Sequence, residues 1–178
     1  MTRQYPFRIA VTGPESTGKS TLARDLARRL GALWVPEFAR YYLGELTRPY
    51  EESDLLDILH GQLRWEQNYS RLAGPFLFCD TDPLVIKIWS QYKYGRCHPL
   101  IESTCQTHRY DLHLLCKPDL PWTFDPLREN PDLNERMEIY NLYKNELQIL
   151  NTPYVEIDGE VLQRKATALS AIFSQMRP

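Results

Sequence analysis

Residues 13–20 read GPESTGKS, which sets Gly13, Gly18, Lys19 and Ser20 at the spacing G-x-x-x-x-G-K-[ST]. The residue types explain the spacing. Glycines let the backbone fold into a concave nest of N–H groups, and a helix starting near Gly18 adds the positive end of its dipole, so the loop suits an anion. Lys19 brings a full positive charge to the outer phosphates of a polyphosphate. The Ser20 hydroxyl is a hard oxygen of the kind Mg²⁺ accepts beside its waters. Gly13, Pro14, Glu15, Ser16, Thr17, Gly18, Lys19, Ser20 and Thr21 are therefore expected to bind the phosphates of a nucleotide.

Charged residues follow the other apolar runs as well. FLFCDTDP puts Asp80 at the end of such a run, from which a carboxylate holds Mg²⁺ opposite a phosphate loop. Ser20 and Asp80 are the expected metal ligands. Asp82, ahead of Pro83, reads equally well as the N-cap of the next helix. ALWVPEFARYY carries Glu37 and Arg40. If the run before them is an edge strand, Glu37 faces the cleft opposite the nucleotide, where a carboxylate can take the proton of an acceptor hydroxyl. The plainer alternative is a surface ion pair with Arg40. Pro118 to Pro131 is a charged, proline-rich loop holding Arg128, with Arg136 just beyond it. An arginine on a loop over a phosphate site can stabilise charge on a transferring phosphoryl group, and Arg128 is the better placed. Lys19, Glu37, Asp80 and Arg128 form the expected catalytic set.

These residues need elements to hold them. FRIAVT (Phe7 to Thr12), ALWV (Ala32 to Val35), PFLFC (Pro75 to Cys79), YDLHLLC (Tyr110 to Cys116) and PYVEI (Pro153 to Ile157) are short apolar runs suited to buried strands. Leu22, Leu26 and Leu30 recur at helical spacing, and Gly31 closes that helix. Leu55 to Leu72, Leu84 to Tyr92, Leu100 to Arg109, Asn134 to Leu150 and Val161 to Met176 also read as helices. Strands alternating with helices predict an α/β fold of three layers, a five-stranded parallel sheet with helices on both faces, and an arginine-bearing lid. Ligands of such sheets bind at the carboxyl ends of the strands, where the charged residues fall.

Composition narrows the function class. The 178 residues suit one domain, over residues 1–178. With 21 basic and 23 acidic residues the net charge is −2, so no field draws nucleic acid or an anionic membrane. No apolar run approaches the roughly 18 residues of a membrane span and no signal-peptide core is visible, which predicts a cytoplasmic protein. Cys79, Cys97, Cys105 and Cys116 lack a C-x-x-C pair and read as reduced thiols. Cys97, His98, Cys105 and His108 match no common zinc spacing. Several aromatics, among them Trp65, Trp89 and Trp122, read mostly as core, with one or two free to stack a flat ring. The oligomeric state is not written in the sequence.

Together these segments resemble the ribosylnicotinamide kinase domain of the NadR-type NAD-salvage proteins, within the P-loop kinase-like group. The resemblance spans most of the chain through GPESTGKS, the E-x-x-R of Glu37 and Arg40, FCDTD, the segment YKYGRCHP ending at Pro99, and PWTFDPLR ending at Arg128. It implies transfer of the γ-phosphoryl group of ATP, with Mg²⁺, to the 5′-hydroxyl of nicotinamide riboside, giving nicotinamide mononucleotide. Pro36 stands where that family has a tryptophan, a ring that Trp34 or Trp65 could replace, and Pro126 stands in place of a glycine. No H-x-G-H signature is present, so adenylyl transfer is not expected. Two other readings stay open: an ATP-binding or ATP-hydrolysing interaction protein, and a GTPase switch based on Lys117-x-Asp119. The second lacks the glycine of D-x-x-G, because Pro83 occupies that place.

Overall fold

The computed structural model describes residues 5–176. Its centre is a parallel sheet of β1 (Phe7–Thr12), β2 (Leu33–Val35), β3 (Phe76–Asp80), β4 (Leu112–Cys116) and β5 (Tyr154–Ile157), in the order β2-β3-β1-β4-β5. The strands are buried on both sides, which is why they read as continuous apolar runs rather than alternating ones. Ile9, Val11, Phe76, Phe78, Leu112, Leu114 and Cys116 point to one face, where they pack on α1 (Lys19–Leu30) and α7 (Val161–Gln175) through Leu22, Leu26, Ala168 and Ile172. Residues in between point the other way. Ala10, Leu77 and Cys79 meet Trp65 and Tyr69 of α3 (Asp54–Ser70), while Leu115 meets α4 (Pro83–Tyr94) and α6 (Leu133–Ile149). This is the expected three-layer α/β architecture.

All five strands and six of the helices fall where the sequence places them. The short α5 (Pro99–Thr107) is one of these six; the seventh helix among the described residues, α2 (Phe38–Glu45), is one the hydrophobic pattern does not single out. After β1 the chain crosses to β2 and β3 on one side, then to β4 and β5 on the other, so the sheet has its switch point at the end of β1. Gly31 ends α1 in the left-handed conformation, with φ 61°. The far end of the sheet is closed by a buried charge network in which Glu66 of α3 meets Arg8 of β1, His108 (2.9 Å) and the Tyr110 hydroxyl (2.8 Å). Cys79, Cys105 and Cys116 are buried, and Cys97 is partly exposed. Among the described residues no helix is long and apolar enough to cross a membrane.

Candidate active site

The phosphate loop leaves β1 at Thr12 and enters α1 at Lys19. Gly13 adopts φ 125°, and a Cβ there would lie 2.6 Å from the Cys116 carbonyl oxygen, so only glycine lets the loop pass this close to the end of β4. Within the loop the Thr17 hydroxyl donates to the Pro14 carbonyl (2.8 Å), as does Lys19 Nζ (2.6 Å). The ammonium group thus lies over the nest. Gly18 caps the start of α1, and no acidic side chain occupies that helix's first turn, leaving its positive end uncompensated. Ser20 follows on the same turn beside the cleft, and Thr21 is exposed next to it.

Asp80 ends β3, the strand adjoining β1, and is 1% exposed. Burial raises its carboxyl pKa first and the charge of Glu37 second, while the Ser20 hydroxyl, Lys19 and Arg40 pull the other way. Its Oδ1 has no hydrogen-bond partner. A buried carboxylate oxygen without a partner among the described residues, next to a hydroxyl and a lysine, fits a cation, and the hard oxygens of Asp80 and Ser20 suit Mg²⁺. A dication there would favour the ionised carboxylate that burial opposes.

Glu37 comes from the neighbouring strand end. β2 is an edge strand in register with β3 (Val35 opposite Cys79), so the chain leaving β2 delivers Glu37 one residue past the level of Asp80, where its charge acts on that carboxyl. There it occupies the N-cap position of α2, and its carboxylate lies 3.2 Å from Arg40 Nε. The ion pair set out in the sequence reading is present, and the charge of the same carboxylate also acts on Asp80. Arg40 also donates to Asp125 (2.8 Å) and so ties this side of the cleft to the loop between β4 and α6.

That loop crosses the phosphate site. Arg128 Nη1 reaches the Ser16 hydroxyl (3.4 Å) and the Thr123 carbonyl, which sets its guanidinium beside the phosphate loop. Glu15 meets the same segment through Trp122, Glu129 and Asn130. From the opposite wall, Lys93 of α4 bonds Glu129 (2.8 Å), and the Tyr50 hydroxyl, held by Trp89 Nε1 (2.9 Å), donates to the same carboxylate (2.9 Å). Arg136, set behind Arg128 in the sequence reading, is buried on α6. It is 3% exposed, and its Nε and Nη1 have no partner. It lies on the face of α6 that carries Tyr140 and Tyr143, and Tyr143 feels the charges of Asp82 and Glu37. Helical spacing ahead of Tyr140 was the available signal.

Other candidates resolve into structural roles. Asp82 caps α4, accepting from Val85 N (3.3 Å) and the Thr12 hydroxyl (3.0 Å), and lies 3.1 Å from His113 Nε2. Asp119 accepts from Gly159 N (2.7 Å) and pairs with Arg164, a buried guanidinium that also bonds the carbonyls of Thr17 (3.1 Å), Lys117 (3.2 Å) and Gly159 (2.7 Å). A carboxylate held this way is not free to read guanine. Trp34 packs, partly buried, against the core on the α1 face, and Trp65, also partly buried, sets its ring edge-on to Phe38 at 4.9 Å. His98 caps α5, and His108 belongs to the Glu66 network.

A parallel sheet of this order, with a glycine-bounded phosphate loop at the end of its central strand, defines a P-loop nucleotide-binding fold. Residues 8–164 match the family described as an AAA domain, and the chain belongs to that family. It is homologous to the trifunctional NAD biosynthesis/regulator protein NadR of Escherichia coli (strain K12), with 30% identity over 156 residues, covering 85% of this chain and 38% of that one. The NadR of Salmonella typhimurium is 26% identical over 166 residues, covering 87% and 40%. The chain therefore spans well under half the length of these relatives. Its structure is similar to a NadR protein in complex with NR, with TM-score 0.78 and 25% identity over 98% of this chain and 50% of that chain. A deoxyadenosine kinase from M. mycoides shares the fold, with TM-score 0.61 and 14% identity over 94% and 99%.

Proposed function

We propose that this chain is an ATP-dependent kinase of a small nucleoside, phosphorylating the 5′-hydroxyl of nicotinamide riboside to give nicotinamide mononucleotide. The observation that carries the reading is the convergence of Glu37 and Asp80 from adjacent strand ends on the mouth of the phosphate loop, under an arginine-bearing lid. The homology to NadR, and the similarity to a NadR structure holding NR, support the choice of acceptor.

In this reading the loop amides and Lys19 hold the triphosphate, and Ser20 and Asp80 hold Mg²⁺. When bound, that ion draws negative charge from the phosphates. Glu37 orients the acceptor hydroxyl and takes its proton as the oxygen bonds to the γ-phosphorus. The bond from that phosphorus to the bridging oxygen breaks, and its electron pair leaves with ADP. Arg128 stabilises the charge on the moving phosphoryl group, and Arg136, buried without a carboxylate partner, adds positive charge from α6. Position and charge supply most of the catalysis, since the transfer itself asks little covalent chemistry of the protein.

The test is incubation with Mg-ATP and a panel of nucleosides that includes nicotinamide riboside, followed by detection of the monophosphate. Nicotinamide mononucleotide is expected with the parent chain and none with Lys19→Ala. Release of ADP with no phosphorylated nucleoside would instead identify a nucleotide-hydrolysing interaction protein.

A further inference from the structure

Glu15 fills a position that the phosphate-loop motif leaves unspecified, because only the backbone is needed there. Its side chain nevertheless makes three hydrogen bonds outside the loop. Oε1 accepts from Trp122 Nε1 (3.2 Å) and from Asn130 N (2.8 Å), and Oε2 accepts from Glu129 N (2.9 Å). The adjacent Ser16 hydroxyl accepts from Thr123 N (3.1 Å) and from Arg128 Nη1 (3.4 Å). Both ends of the segment around Arg128 are thus fastened to two neighbouring loop residues. A carboxylate beside a polyphosphate cradle is electrostatically unfavourable unless its charge is taken up elsewhere. Here two backbone amides and an indole N–H take it up, in charge-assisted bonds stronger than neutral ones.

We propose that Glu15 is a positioning residue: it latches the lid to the phosphate loop and thereby sets Arg128 against the transferring phosphoryl group. The proposal rests on the phosphoryl-transfer reading for its catalytic consequence, but the latch itself can be read without any acceptor.

Amide hydrogen exchange at Glu129 and Asn130 measures the latch directly. Both amides should exchange about tenfold faster or more in Glu15→Ala, and by an intermediate amount in Glu15→Gln, which keeps one acceptor oxygen. Unchanged exchange in Glu15→Ala overturns the proposal. In the phosphorylation assay, Glu15→Ala should lower kcat on the order of 10²-fold while leaving the acceptor KM within about twofold, as expected for a displaced catalytic group. Combined with Arg128→Ala it should cause little further loss, because the two changes remove the same interaction. A shift confined to acceptor KM, or a full multiplicative loss in the double variant, overturns the proposal. Failure of the parent chain to phosphorylate any nucleoside would remove the kinase reading and leave the exchange result to decide the latch.

Discussion

Two carboxylates that approach each other in a partly dry cleft raise each other's proton affinity unless positive charge lies between or beside them. The pKa of Asp80 is raised by burial and then by Glu37, and Ser20, Lys19 and Arg40 offset part of that rise. In the proposed kinase reading the two divide the work: Asp80, buried with an unpartnered oxygen among the described residues, would hold the cation, and Glu37, more open and held by Arg40, would take the proton. Glu37→Gln keeps the shape and the acceptor oxygen facing Arg40 and removes only the basicity. Phosphoryl transfer in that variant should fall about 10²- to 10⁴-fold with nucleotide binding retained, measured by single-turnover transfer against equilibrium titration of ATP. Equal transfer rates would remove Glu37 from the chemistry. Much of this site was legible because loop motif and strand end put charge at predictable places. Asp82 was not, since a capping carboxylate and a catalytic one look alike until Thr12 and His113, distant in sequence, are seen to hold it. The burial of Arg136 was not legible either, because burial of an arginine is decided by helix packing and not by its own neighbours in the chain.

The element that presents Glu37 is the short helix α2, and its seating depends on a contact with α3. The Phe38 ring lies directly over Gly61, so that a Cβ at Gly61 would fall inside the ring's contact distance, and Phe38 N donates to Gln62 Oε1 (2.9 Å). Alanine at position 61 gains about 1 kcal/mol of helix propensity but meets an aromatic ring, and overpacking of this kind costs about 1–3 kcal/mol. The clash wins. Gly61→Ala should lower stability by up to about 2 kcal/mol in denaturant unfolding, and it should reduce transfer activity because Glu37 adjoins the displaced ring. The same contact explains why α2 escaped the sequence pattern. Eight residues make little helix on their own, and this one is fixed by Phe38 on Gly61 and by the Tyr42 hydroxyl on Asp54 (2.8 Å), neither of which shows in local periodicity. The strands were plain by contrast, because burial on both faces leaves an unbroken apolar signature in each.

At the scale of the whole molecule, the end of the sheet away from the phosphate loop contributes to the response to acid. Burial alone would raise the Glu66 pKa, but His108, Arg8 and Tyr110 outweigh it and hold the carboxyl below its ordinary value. A group lowered on folding stabilises the native state above its unfolded pKa, about 4.3 for glutamate, and that contribution is lost as pH falls through the folded value. Unfolding free energy should therefore decline as pH drops below about 4.3, and the decline should be shallower in Glu66→Gln. At neutral pH this variant should be less stable by about 3 kcal/mol, because Arg8 loses its buried counter-charge. Chemical denaturation across a pH series checks both. The placement of the four thiols has a more practical outcome. Three are walled into the interior, while Cys97 sits part way out on the turn that follows α4, the helix whose Lys93 holds Glu129. A maleimide dye should therefore mark this chain at one native position, beside the helix that carries Lys93, without any engineered cysteine.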